Sequence, residues 1–203
     1  MALITSPSNP RITKLKDLYT VRGRKQSRLF LMEGLHLLEE LLKAQLLPHE
    51  VYYQPALLQR TTKGRLLLDR LLHIPGLSLI EVSERVIEAL GDAQTSQGVV
   101  SVLPLDAFSP AQVRKRRPAA LRPALLILDD LTDPGNVGTL LRTALAADVE
   151  AVLLTRNCVD CYNPKVVRSA AGAHLGLLCL GESGRARPGS ACPGPPAAGP
   201  GTR

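Results

Sequence analysis

Asp133-Pro134-Gly135-Asn136-Val137-Gly138, which follows an apolar run and opens a helical pattern, is the stretch best equipped for chemistry. Its two glycines let a backbone approach a ligand at a helix start, where unpaired N–H groups attract anions. The same spacing serves equally as a tight turn plus a helix start. A dinucleotide fingerprint needs Gly-x-Gly-x-x-Gly with an acid about twenty residues on, and nothing fills its first glycine here. A nicotinamide-dependent oxidoreductase loses on that count, and no catalytic His or Tyr accompanies the turn. Cys158-Val159-Asp160-Cys161 has metal-pinching spacing, but a second ligand pair is missing and His174 stands alone. Free thiols in a reducing compartment, with no metal, are the expectation.

Basic residues are the second chemical feature. Residues 1–28 carry Arg11, Lys14, Lys16, Arg22, Arg24, Lys25 and Arg28 against the single acid Asp17. They supply most of a formal net charge of +7 at a pI near 9.5, a balance suited to a polyanion such as RNA or to a simply solvated arm. A shorter basic cluster runs from Arg114 to Arg117.

The elements that must position these residues read as two α/β units. In the first, Leu29–Met32 is a strand. A helix follows with Leu35, Leu38, Leu42 and Leu46 inward and Glu39, Glu40 and Lys43 outward, ended by Pro48. Val51–Tyr53, Leu77–Val82 and Val99–Leu103 are further strands, and Ala56–Leu72 and Ser83–Leu90 are helices, the latter capped by Ser83. The result is a small α/β/α domain over residues 1–104. Prolines and the Arg114–Arg117 cluster break the pattern, which predicts a linker over 105–122.

The second unit, residues 123–180, opens with Ala124–Leu128, a continuous apolar run expected to be buried on both faces. A helix with Val137, Leu140, Leu141 and Ala144 inward leads to a parallel strand at Ala151–Leu154, then a short helix at Val166–Ala173 and a strand at Leu175–Leu180. Residues 181–203 contain no Val, Ile, Leu, Met or aromatic residue, so they cannot offset their ordering entropy by burial and are expected to be disordered. At 203 residues, with 45% hydrophobic and 3% aromatic content, the chain can bury an aliphatic core. Collagen-like and wholly disordered classes are excluded. No apolar run reaches the roughly eighteen residues of a membrane span, and no signal-peptide region precedes Arg11, so a cytoplasmic protein is expected.

Read as a whole, Leu128-Asp129-Asp130-Leu131-Thr132-Asp133-Pro134-Gly135-Asn136-Val137-Gly138-Thr139-Leu140-Leu141-Arg142-Thr143-Ala144 closely resembles motif 1 of the SpoU (TrmH-like) RNA 2'-O-ribose methyltransferases. The segment from Asn163 to Ala173 is similar to the one following the second sheet strand in that family. Ile4 to Pro10, Phe30 to Gly34 and Thr95 to Gly98 look like its RNA substrate-binding domain. The resemblance implies transfer of a methyl group from S-adenosylmethionine to a ribose 2'-hydroxyl of ribosomal or transfer RNA. It implies an incomplete parallel-sheet methyltransferase domain of the trefoil-knot type behind the substrate-binding domain, and a homodimer.

It further implies that Arg142 activates the hydroxyl and that Asn136 helps hold the site. An arginine side chain has a pKa above about 12, so Arg142 serves as well by holding a phosphate or a developing alkoxide. Arg11, Arg22, Arg24, Lys25 and Arg28 are the RNA-binding candidates. The family continues past Leu180 with a Gly-x-Glu loop, an Ile-Pro strand end and a Ser-Leu-Asn helix start that do not follow here. The terminus therefore reads as truncated or altered, the cofactor residues stay unassigned, and a catalytically inactive RNA-binding fragment is the alternative.

Overall fold

The computed structural model describes residues 3–91, 96–117 and 123–181. The basic start of the chain is folded rather than an extended arm. Asn9 accepts the Arg11 N–H at 2.9 Å and Pro10 occupies the first helical position, giving α1 (Pro10–Lys16). A 3-10 turn at Asp17–Tyr19 leads into α2 (Val21–Ser27), capped by the Thr20 hydroxyl on Gly23 N–H.

The front domain continues with β1 (Leu29–Glu33), α3 (Leu35–Lys43), β2 (Glu50–Tyr53), α4 (Pro55–Leu58), α5 (Thr62–Leu72), β3 (Leu79–Glu81), α6 (Glu84–Leu90) and β4 (Val99–Pro104). Its sheet has the order β1-β4-β2-β3, antiparallel except for the parallel β2–β3 pair. Strand alternation sorts the core into two layers. Phe30, Met32 and Val99 pack with α3 and α5, while Leu31, Tyr52 and Val100 pack with α1 and α6.

Three details depart from expectation. The 56–72 helix is broken, because Thr61 accepts the Gly64 N–H and starts α5 anew. On α3 the buried face is Leu37, Leu38, Leu41 and Leu42, with Leu35 and Leu46 only at its margin, so the stripe is rotated and the helix stops at Lys43. Ser83 occupies the cap position of α6, but its hydroxyl donates to Thr5 C=O at 3.2 Å instead of accepting from the helix.

The segment expected as a linker is structured over residues 105–116. Leu105–Phe108 forms a 3-10 turn and Pro110–Arg116 forms α7, with Leu105, Phe108 and Val113 buried. The basic cluster is partly consumed by the fold. Arg116 donates to Leu175 C=O and Ala107 C=O, and Arg117 donates to Val149 C=O and Gly176 C=O. Residues 118–122 and the tail beyond Gly181 lie outside the described residues.

The back domain comprises β5 (Leu125–Leu128), α8 (Pro134–Ala146), β6 (Ala151–Leu154), α9 (Pro164–Ser169) and β7 (Leu178–Leu180) in a parallel sheet of order β5-β6-β7. The expected helix at 166–173 ends early because Ala171 and Gly172 turn to positive φ, and a 3-10 turn at Ala173–Leu175 precedes the strand. One sheet face, Leu128, Val152, Leu154 and Cys179, packs with the core residues of α8 and α9. The other bears Val113 of α7 over Ala151 and Leu178. There Leu125 and Ile127 remain 57% exposed and Leu153 38%, so β5 is not buried on both faces as its apolar run suggested. The two domains meet at the aromatic exception to an aliphatic core: Phe30 lies 5.2 Å from Phe108 and 5.0 Å from Tyr162 between ring centroids.

Candidate active site

β5 ends at Leu128 and the chain crosses Asp129–Asp133 to reach α8. Asp130 takes a left-handed backbone (φ 55°) in this crossing. Asp133 then caps α8, accepting the Asn136 N–H at 2.7 Å, and Pro134 fills the first helical position. A side-chain cap occupies the helix start, so the turn-plus-helix reading of the Asp133–Gly138 string holds. Gly138 faces protein: a Cβ there would lie 2.4 Å from Ser169 Cβ, so this glycine permits the close crossing of α8 and α9. Ser169 fastens the crossing by donating to Gly135 C=O at 3.0 Å.

Asn136 and Arg142 both lie on the exposed side of α8. Six residues at 3.6 per turn set them about 120° apart around the axis, so they border one exposed surface with Thr139 between them rather than sharing a single line. Val137, Leu141 and Ala144 anchor the opposite side of the helix in the core.

The loop after β6, residues 155–163, stands out in the sequence only for its Cys158–Cys161 spacing, and its clamping role was missed. Thr155 donates to Asp129 Oδ1 at 2.7 Å, and Cys158 donates to Leu128 C=O at 3.2 Å while accepting the Leu131 N–H at 3.4 Å. Val159 N–H reaches Leu131 C=O at 2.8 Å. These bonds clamp the carboxyl ends of the two strands together, the place where open parallel sheets bind ligands. A cleft of about 110 Å³ sits there, lined among others by Val21, Leu154, Thr155, Asp160 and Gly181. Cys158 and Cys161 have separate partners. The hydrogen bond with Cys179 and burial push the Cys161 thiol well above its ordinary range. The three described cysteines are free thiols.

The expected RNA-binding residues divide. Arg22 and Lys25 are exposed on α2, three residues apart and thus on one side of the helix. Arg11 and Arg28 are exposed as well and bond acids, Arg11 bonding Glu50 at 2.6 Å and Tyr52 at 2.7 Å and Arg28 bonding Asp106 at 2.5 Å, and Lys25 likewise has a partner of its own. Arg24 is a correction. It is 0% exposed, donating Nε and Nη2 to Asp160 Oδ2 at 2.8 and 2.5 Å and Nη1 to Leu18 C=O at 2.7 Å. Desolvating a guanidinium is tolerated only with such a full set of partners, so Arg24 holds protein and not RNA. No local signal marks it, because Asp160 belongs to the other domain.

Residues 123–180 match the SpoU rRNA Methylase family, and residues 9–101 match the MRM3-like substrate binding domain. By that match residues 123–180 are a SpoU rRNA methylase segment. An uncharacterized tRNA/rRNA methyltransferase of Synechocystis is 39% identical over 176 residues, covering 86% of this chain and 60% of that protein. This chain therefore spans about three-fifths of its relative's length. A solved RNA 2'-O ribose methyltransferase superposes with a TM-score of 0.66 at 30% identity over 89% of this chain and 65% of the other. AviRb from Streptomyces viridochromogenes, crystallised with AdoMet, shares the fold with a TM-score of 0.70 at 22% identity over 85% and 63% of the two chains. The SpoU motif string is the one that builds the β5 end and α8, so the family match and the geometry fall on the same residues.

Proposed function

We propose that this chain works on ribosomal or transfer RNA as a 2'-O-ribose methyltransferase using S-adenosylmethionine. Residues 1–104 grip the RNA, 105–122 join, and 123–180 carry the chemistry. The observation that supports this reading above others is α8, which presents Asn136 and Arg142 outward beside clamped strand ends while its inner side is fixed in the core. The names of the relatives point the same way.

Methyl transfer requires the nucleophile to be held in line and its proton to be removed. The planar guanidinium of Arg142 offers donors to a phosphate or to the alkoxide that develops on the ribose, and Asn136 offers an amide for positioning. The cofactor supplies an electrophilic methyl when bound. Leu154, Thr155 and Gly181, at the end of β6 and past β7, line the cleft and would hold the cofactor's edge. Their cleft of about 110 Å³ suits part of a nucleoside, since whole ligand pockets run to about 300–1,000 Å³.

A second reading, RNA binding without transfer, is favoured by the small size of that cleft beside the exposed cations of α2. Two measurements divide the readings: calorimetric titration of S-adenosylmethionine, and transfer of labelled methyl to ribosomal RNA followed by digestion to nucleosides. Under the leading reading, Arg142→Ala lowers transfer by at least about 100-fold and leaves RNA affinity unchanged. Wild-type turnover in that variant removes Arg142 from the site. Absent transfer and absent cofactor heat with RNA binding retained establish the second reading. For the RNA grip itself, Arg22→Glu with Lys25→Glu weakens binding and flattens its salt dependence by about two phosphate contacts. An unchanged gel shift at low salt removes α2 from the interface.

A further inference from the structure

α2 has three sides with different neighbours. Arg22 and Lys25 face solvent, Val21 lines the cleft at the end of β6, and Arg24 is the one buried residue of the helix. The helix is also tightly seated. A Cβ at Gly23 would lie 2.0 Å from Asp17 C=O, so α2 rests directly on the turn before it. Arg24 leaves this seat through two bonds to Asp160 Oδ2 and holds Leu18 C=O with its third donor.

Asp160 is the organiser of the loop it belongs to. Its Oδ1 accepts the Tyr162 N–H at 3.1 Å, and its backbone carbonyl accepts the Asn163 N–H at 2.9 Å, just before Asn163 caps α9 on Lys165 N–H. The same loop reaches β5 through Thr155 and Cys158. One guanidinium thus joins the solvent-facing helix of the front domain to the loop that lines the cleft of the back domain. Buried ion pairs add little net stability over apolar pairs of similar volume, but their fork geometry admits one arrangement.

We propose that Arg24 is a positioning residue that couples RNA held on α2 to the loop 155–163, so that RNA binding and occupancy of the cleft favour each other. The proposal rests on the RNA reading of α2 given above. Phosphates held by Arg22 and Lys25 restrain the helix, and the Arg24–Asp160 pair carries that restraint to the Tyr162 and Asn163 amides. Coupling of this kind is reciprocal: whatever orders the loop raises RNA affinity by the same factor.

Hydrogen exchange on the full chain, with and without a short stem-loop RNA, tests it. In the wild type, saturating RNA slows the amides of residues 155–163 by about tenfold, within the range common for coupled sites. The double variant Arg24→Met with Asp160→Asn keeps an acceptor for Tyr162 and leaves no buried charge unpaired. It binds the RNA but loses the slowing. Arg24→Lys, folded and charged but without the planar fork, loses most of it too. A purely structural role predicts faster exchange across the back domain in the variants, with or without RNA. RNA binding that leaves the wild-type loop unchanged, or slowing retained in the folded variants, overturns the proposal. Failure of the wild type to bind RNA at all overturns the RNA reading, and this proposal with it.

Discussion

The front sheet, whose strands carry Glu33, Glu50 and Glu81, and the back sheet, whose strands carry no charge, end up in surroundings opposite to those their composition suggests. The front sheet is covered on both faces, with Phe30 and Met32 sealed on one side and Leu31 and Tyr52 on the other. The back sheet is sealed on the side of α8 and α9, while its other side leaves Leu125 and Ile127 57% exposed. An apolar run therefore reports that a strand can be buried, not that partners exist on both sides. The difference also assigns tasks. The front domain is closed in itself, whereas the back domain depends on one covered face and on ties to its neighbour: Arg24 to Asp160, Phe30 to Tyr162, and Arg116 and Arg117 to the carbonyls around Leu175.

The sharpest way to break this comparison is to open the one sealed face. In Gly138→Ala the new Cβ would meet Ser169 Cβ at 2.4 Å and Ala170 N at 2.8 Å, and the second of these is backbone that a rotamer change cannot move. α8 and α9 must separate, at a cost of about 1–3 kcal/mol. Exchange in β6 and β7 should accelerate while β2 and β4 stay protected. Uniform acceleration across both sheets would mean that the domains open as one unit.

Legibility followed the range of the interactions. The front strands and the helices α3 and α6 were readable because half-buried strands alternate and amphipathic helices repeat, whereas the caps Asn9, Thr20 and Thr61 went unread although they act within a few residues, so α1, α2 and the break before α5 did not show. The exposed positions of Asn136 and Arg142 were readable because a single contiguous string sets α8 and its inward side. Arg24 read as one more charge in a basic run, and the 105–117 segment read as linker. Their partners, Asp160 and the carbonyls of Val149, Leu175 and Gly176, come from elements distant in sequence. For the same reason the loop 155–163 offered nothing beyond its Cys158–Cys161 spacing. Thr155 and Cys158 acquire their roles only once β5 lies beside them.

Acid should separate the domains next. His36, His49 and His73 in the front domain are exposed, whereas His174 in the back domain is buried, with Nε2 bonded to Cys161 C=O at 2.8 Å. Burial pushes the His174 pKa down, against a smaller upward pull from that carbonyl. A second proton would sit on Nδ1, which has no acceptor among the described residues. With the folded value below the unfolded value of about 6.5, the unfolded chain takes up the proton first. Stability is then fully present above pH about 6.5 and is lost as pH falls below it. Thermal melts at pH 7.5 and 5.5 should show the loss, and His174→Gln, neutral at both, should show less of it. An equal loss in the variant would move the acid sensitivity to the carboxylates.

The smallest effect is the one that defines the contrast. Ile127 and Leu128 are neighbours in β5 on opposite faces, the first 57% and the second 4% exposed. Thr keeps the β-branched shape that suits a strand, so Ile127→Thr removes apolar surface that is already largely in water and should change stability by no more than about 0.5 kcal/mol. Leu128→Ala opens a cavity against α8 and should cost about 2–5 kcal/mol. Because an uncovered apolar patch promotes association, Ile127→Thr combined with Leu125→Thr should also reduce self-association measured by light scattering, with the melting temperature nearly unchanged. If Ile127→Thr instead destabilises the chain as much as Leu128→Ala does, something covers that face in solution, and the two sheets are alike after all.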